Sequence, residues 1–207
     1  MMDAKQIANL LIDAKALAFD VKNPYTFASG IRSPIYMDCR LLISDVKGRA
    51  AIVDSMVDHT VDVNADVIAA TASAGIPWGA WVADRMELPL VYVRQAAKDH
   101  GKGKRVEGMI EEGSVAVVIE DLVSTGGSSI SAVESLREAL IEVNDCISIF
   151  TYEFDEARDA FQAANVRLKS LSNFSTAVEA AQNRGYLTRE DAAEAKKWNK
   201  DPKRWRA

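Results

Sequence analysis

Three stretches hold residue types that chemistry uses. The first, Val117 to Ser129, reads VVIEDLVSTGGSS and joins an apolar run to two adjacent acids, then to a glycine- and hydroxyl-rich turn. Thr125, Gly126, Gly127, Ser128 and Ser129 offer backbone N–H groups, hydroxyls and a helix start, a combination that suits a phosphate monoester. The spacing is neither GxxxxGK[ST] nor GxGxxG, so the common triphosphate and dinucleotide loops do not explain it. Glu120 and Asp121 would repel a second phosphate. They serve better as acceptors for sugar hydroxyls, as an acid does for ribose in dinucleotide sites. They could also orient water around a Mg²⁺ ion carried in by the ligand. A phosphate cradle beside a diol-binding acid pair describes a ribose 5-phosphate site. The plainer alternative is a helix N-cap plus one buried acid.

The second stretch, Arg94 to Gly108, places Arg94, Lys98, Lys102, Lys104 and Arg105 against two acids, Asp99 and Glu107. Glycines at 101, 103 and 108 allow wide backbone excursions. This composition predicts a basic lid that closes over a polyanion and excludes water. A solvated charged hairpin is the competing reading. His100, beside Lys98, adds a group that titrates near neutrality and can donate to phosphate. The third stretch, Thr71 to Pro77, is built of small residues ahead of a helix, where an anion could meet exposed N–H groups.

Those stretches need a frame to converge. Short apolar runs at Asp66–Thr71, Leu88–Val93, Val115–Ile119, Ile147–Tyr152 and Val166–Leu171 alternate with helical patterns at Ile76–Met86, Gly127–Ile141, Glu156–Ala164, Phe174–Arg184 and Arg189–Asn199. Continuous runs such as VAVVI suit strands buried on both faces, so the alternation predicts an α/β fold with a parallel sheet. Ligands then bind beyond the carboxyl ends of the strands, where all three stretches fall. Ahead of the sheet, apolar residues from Ile7 to Ala18 predict a helix capped by Asp3, and Ser44 opens another ending near His59. The organisation expected is one domain over 1–207, with an N-terminal hood (1–60), a core sheet (61–172) and C-terminal helices (173–207).

Composition narrows the function classes. The chain has 207 residues, 48% of them hydrophobic and 27% charged, with a formal net charge of −5. The acidic balance argues against a nucleic-acid partner, so basic sites must be local. Two cysteines make neither a disulfide framework nor a metal cluster. No apolar run suits a membrane span or an export signal, which predicts a cytoplasmic protein.

IEDLVSTGGSS resembles the phosphoribosyl-pyrophosphate (PRPP) signature of the type I phosphoribosyltransferases, with Ser124 where the family usually has Thr. The lid sequence YVRQAAKDHGKGKRVEG resembles the catalytic loop of the orotate phosphoribosyltransferase family, FASGIRSPIYMDCR its N-terminal signature, and WNKDPKRW the tail of its shorter bacterial members. The resemblance implies the type I fold: a parallel sheet with helices on both faces under a small N-terminal hood. It implies PRPP contacts at Arg94, Lys98, His100, Glu120, Asp121, Leu122, Val123, Ser124, Thr125, Gly126, Gly127 and Ser128, with Lys98, His100 and Asp121 in the catalytic machinery. It implies orotate contacts at Ser124 and Tyr36, Mg²⁺ as the cofactor bound through the substrate, and a homodimer whose lids reach into the partner's site. Gln95 stands where many members have a second lid lysine, and Ala28 and Ala74 where some have lysine. The arginine that such members place after the fourth strand is missing from FTYEFDEARDAF, leaving Arg32 and backbone near Gly75 as candidates for the orotate carboxylate. The activity implied is transfer of the 5-phosphoribosyl group from PRPP to orotate, giving orotidine 5′-monophosphate and pyrophosphate. A phosphoribosyltransferase for another base and a non-catalytic PRPP sensor are the alternatives.

Overall fold

A computed structural model describes residues 2–27, 30–96 and 105–205. The chain opens with α1 (Ala4–Asp13), started by a capping box in which Asp3 accepts from the Gln6 amide and the Gln6 side chain returns the bond. The helix stops earlier than its apolar pattern suggests. Lys15 turns to a φ of +57°, and Leu17 and Ala18 join strand β1 (Leu17–Phe19). That strand pairs with β4 (Ile35–Met37), and β2 (Tyr25–Thr26) pairs with β3 (Arg32–Ser33) to complete the hood. A 3-10 turn over Cys39–Ser44 leads into α2 (Val46–Val61). Asp45, not Ser44, caps α2, because its carboxylate reaches the Gly48 amide.

The core follows the predicted alternation: β5 (Val67–Thr71), α3 (Gly75–Met86), β6 (Leu90–Val93), β7 (Val106–Glu107), β8 (Val115–Val123), α4 (Gly127–Glu138), β9 (Glu142–Thr151), α5 (Asp155–Ala163) and β10 (Arg167–Asn173). α6 (Phe174–Asn183) and α7 (Arg189–Lys200) close the chain. The six-stranded sheet runs β10-β9-β8-β5-β6-β7, parallel except for β7. Strands alternate core faces. Val117 and Ile119 pack with the hood, α1 to α3, α6 and α7, whereas Ala116 and Val118 pack with α4 and α5.

Two features of this sheet open a crevice. The chain leaves β5 for β6 on one side and returns to β8 on the other, so β5 and β8 flank the switch point where α/β sheets bind ligands. β8 also outruns β5: their pairing ends at Ala70–Ile119, while β8 continues against β9 to Val123–Thr151. Glu120 to Val123 therefore lie in a strand whose β5-side edge has no strand partner. Val115–Ile119 was the expected strand, and the added four residues carry the acid pair into it.

Candidate active site

Glu120 and Asp121 stay within hydrogen-bonding reach of each other but take different partners. Glu120 turns toward α4 and is 4% exposed. Its Oε1 accepts from the Thr71 hydroxyl at 2.5 Å and the Asp121 amide at 3.2 Å. Its Oε2 accepts from the hydroxyls of Ser128 and Ser129, each at 3.0 Å. One carboxylate thus ties the end of β5 to the first turn of α4, across the switch point. Sequence reasoning placed Glu120 beside sugar hydroxyls; here both of its oxygens are occupied by protein donors.

Asp121 faces the hood, with the Cys39 thiol 3.5 Å from its carbonyl oxygen. Its carboxyl is pushed up to about 7, first by burial and then by the charge of Glu120. This acid can therefore change charge near neutrality. Arg40, in the 3-10 turn, holds Asp38 through bonds of 2.7 and 2.8 Å and feels the charge of Asp121. Those bonds hold the Asp38 carboxyl below its ordinary range. Residue order assigns Arg40 no role, since only the turn brings it near Asp121. Tyr36 is 39% exposed and packs on Tyr25 at 5.5 Å, while Arg32 is exposed in β3.

The turn after β8 is where the expected cradle falls. Gly126 caps α4 with a φ of +82°, and a Cβ there would meet the Phe161 ring at 3.1 Å, so both backbone and neighbour favour glycine. The first amides of α4 have no partner within the helix and join its positive end. Thr125, Gly127 and Ser128 are exposed, and Ser124 is half-buried. Leu122 is half-buried, whereas Val123 is buried with α4 and α5. On the other side of the switch point, a Cβ on Gly75 would meet Thr71 Oγ1 at 2.5 Å and the Ile119 carbonyl at 2.8 Å. Glycine is what lets the loop after β5 sit against β8. The Ala72–Ser73 peptide in that loop is cis.

A cleft of about 270 Å³ lies between the two loops, lined by Thr71, Ala72, Val93, Gln95, Arg105 and Ser128. Arg105 is fixed there by bonds to the Arg94 carbonyl and the Ser131 hydroxyl, both at 2.8 Å. Arg94 lies 3.6 Å from Glu107. Lys98, His100 and the rest of the lid from 97 to 104, together with Ala28, lie outside the described residues. Larger hollows, of about 460 Å³ beside α5 and about 1210 Å³ beside β7, include neither acid and no phosphate-loop residue, so chemistry and not volume marks the site. Among the described residues, no group of three His, Cys, Asp or Glu side chains could hold a metal ion.

A glycine- and hydroxyl-rich helix start, an acid of shifted pKa and a cleft lined by Arg105 thus meet at one switch point, the arrangement expected of a phosphoribosyl transferase. The family described as Phosphoribosyl transferase domain matches residues 41–178. An orotate phosphoribosyltransferase of Coxiella burnetii is 43% identical over 207 residues, covering 99% of both chains. One of Listeria innocua is 46% identical over 203 residues, covering 97% of both. The crystal structure of orotate phosphoribosyltransferase from Aeropyrum pernix superposes with a TM-score of 0.77 at 27% identity, covering 87% of this chain and 99% of that one. The chain belongs to the phosphoribosyl transferase family, on its orotate phosphoribosyltransferase branch.

Proposed function

We propose that this protein transfers the 5-phosphoribosyl group of PRPP to orotate, giving orotidine 5′-monophosphate and pyrophosphate. The observation that carries this reading is the placement of the Ser124–Ser128 turn and Asp121 at the same end of β8, beside the switch-point crevice. The 5-phosphate sits on the amides and hydroxyls of residues 124–128, and Asp121 accepts the ribose hydroxyls. The pyrophosphate lies toward the cleft of Arg105 and Ala72, with Arg94, Lys98 and His100 meeting it as the lid closes. Ser124 and Tyr36 lie on the orotate side.

Breaking the anomeric bond places positive charge on the ribose ring and negative charge on the departing pyrophosphate. Ionised Asp121 stabilises the first, and the lid cations and Arg105 stabilise the second. Glu120 holds Thr71 and Ser128 so that both anion-binding loops keep their spacing. Asp121 would help to hold, through water, a Mg²⁺ ion bound with the pyrophosphate, and such an ion would add positive charge on that side. The working unit proposed is a homodimer whose lids complete each other's sites, a reading supported by family resemblance. No helix of the described residues is long and apolar enough to cross a membrane. Cys39 and Cys146, buried as free thiols, support a reducing, cytoplasmic setting.

The test is PRPP-dependent consumption of orotate compared with uracil, adenine and hypoxanthine. Orotate alone should be consumed. Turnover of another base would reassign the substrate, and PRPP binding without turnover of any base would make the protein a sensor.

A further inference from the structure

The hood and the C-terminal helices lie mostly outside the segment 41–178 that matches the wider family, yet the structure joins them to each other. α1 packs on α6, Ser172 donates to the Ala4 carbonyl at 2.8 Å, and Arg184 pairs with Asp13 at 2.5 Å. The joint closest to the site is one turn of α7. Trp198 is 0% exposed, and its indole N–H donates to the Arg32 carbonyl in β3 at 2.8 Å. Its ring meets Phe27, where the chain leaves β2, at 6.3 Å, and Tyr152, just beyond β9, at 5.8 Å. The next residue, Asn199, donates from its side chain to the Tyr152 carbonyl at 2.6 Å. Tyr152 in turn bonds the Val123 carbonyl through its amide at 3.0 Å and the Met37 amide through its hydroxyl. Two consecutive side chains thus hold the hood hairpin and the carboxyl ends of β8 and β9 in one register. Beyond Val123 the turn of the cradle packs close to Phe161 and Ala157 of α5, at Gly126.

We infer that Trp198 and Asn199 are positioning residues for base selection. They fix the hood above Asp121 and so set the affinity for the base, without touching either substrate. This rests on the reading of the hood as the base side of the site. Aromatic packing alone would stiffen the fold as a whole. The directed bonds to the Arg32 and Tyr152 carbonyls are what give the clamp a particular geometry. Loss of either should therefore be felt as loosened ground-state binding of the base, with PRPP binding and the chemical step little changed.

The experiment compares the full-length protein with Trp198→Phe, which keeps an aromatic ring and removes the N–H, and with Asn199→Ala, which removes the second bond. KM for orotate and for PRPP, and kcat, are measured for each. The expected result is an orotate KM raised about tenfold, the scale of one lost buried hydrogen bond, with PRPP KM and kcat within about twofold. Equal rises in both KM values, or an unchanged orotate KM, would overturn the inference and leave the clamp merely structural. If Trp198→Phe does not fold, Asn199→Ala decides by the same criterion. Failure of the wild-type chain to consume orotate would instead remove the proposed function, which the variant comparison does not decide.

Discussion

Replacing Glu120 with alanine tests the strut between the loops after β5 and β8, the two proposed to bind anions. The substitution leaves three hydroxyls without their acceptor. Ser128 is exposed and can turn to water, but Thr71 and Ser129 are buried. A buried polar group left unsatisfied costs about 1–3 kcal/mol. Thr71 recovers part of its loss, because the Ile119 carbonyl lies 3.3 Å away. Removing the charge of Glu120 also relieves Asp121, whose carboxyl that charge helps to push up. The net cost should therefore fall near the lower end for two groups, about 2–3 kcal/mol. Glu120→Gln keeps the volume and one acceptor oxygen, and should cost about 1 kcal/mol or less. Urea unfolding at constant pH reads both values, with the slope expected to stay unchanged. The alanine variant should also bind PRPP more weakly, since the loops lose their common brace. An alanine variant within about 0.5 kcal/mol of wild type would refute the strut.

Two further predictions concern the acid and the lid. The Asp121 carboxyl has an ordinary value of 3.8 and stands at about 7 in the fold, so between those values the folded state holds the proton more tightly. Its contribution to stability therefore falls as pH rises from 3.8 to about 7 and is level above, and Asp121→Asn should flatten that slope. Because the ionised form stabilises the cationic ribose, kcat/KM for PRPP should rise with pH through about 7, a limb that Asp121→Asn lacks; a level wild-type profile across that range would count against the assignment. Lys98→Ala should lower turnover by roughly two orders of magnitude, and turnover within a few-fold of wild type would remove Lys98 from the machinery. Mixing Lys98→Ala with Asp121→Asn chains should recover about a quarter of wild-type activity through hybrid dimers, whereas no recovery with hybrids present would place each site within one subunit.

Much of this frame was legible in residue order because its signals are local. The run VAVVI, the TGGSS turn and the helical spacing after them identify β8, the cradle and α4 within a few residues of their observed bounds. Where pairing partners decide the structure, the local pattern misled or fell silent. Leu17 and Ala18 continue a helical period, yet pairing with Met37 and Tyr36 draws them into a strand. β2 and β3 have two residues each, too short for any period to show. The continuation of β8 through Glu120 and Asp121 depends on β9 being its neighbour, which no local pattern encodes.

The same division holds in the site. That the acids and the cradle belong together followed from their adjacency in the chain. Their different duties did not. Glu120 and Asp121 are consecutive and chemically alike, but Glu120 takes the hydroxyls of Thr71, Ser128 and Ser129, while the Asp121 charge is felt by Cys39 and Arg40 of the hood and by Glu120 itself. Trp198 acquires its position through a bond to the Arg32 carbonyl that crosses 166 residues of sequence. Such long-range geometry separates what the motif announces from what each residue does.

The most direct test of the central claim follows orotate and pyrophosphate together in one reaction with PRPP and Mg²⁺. The account predicts that orotate is lost and pyrophosphate released in equal amounts, with both changes absent when PRPP is omitted. Pyrophosphate released while orotate remains unchanged would contradict it.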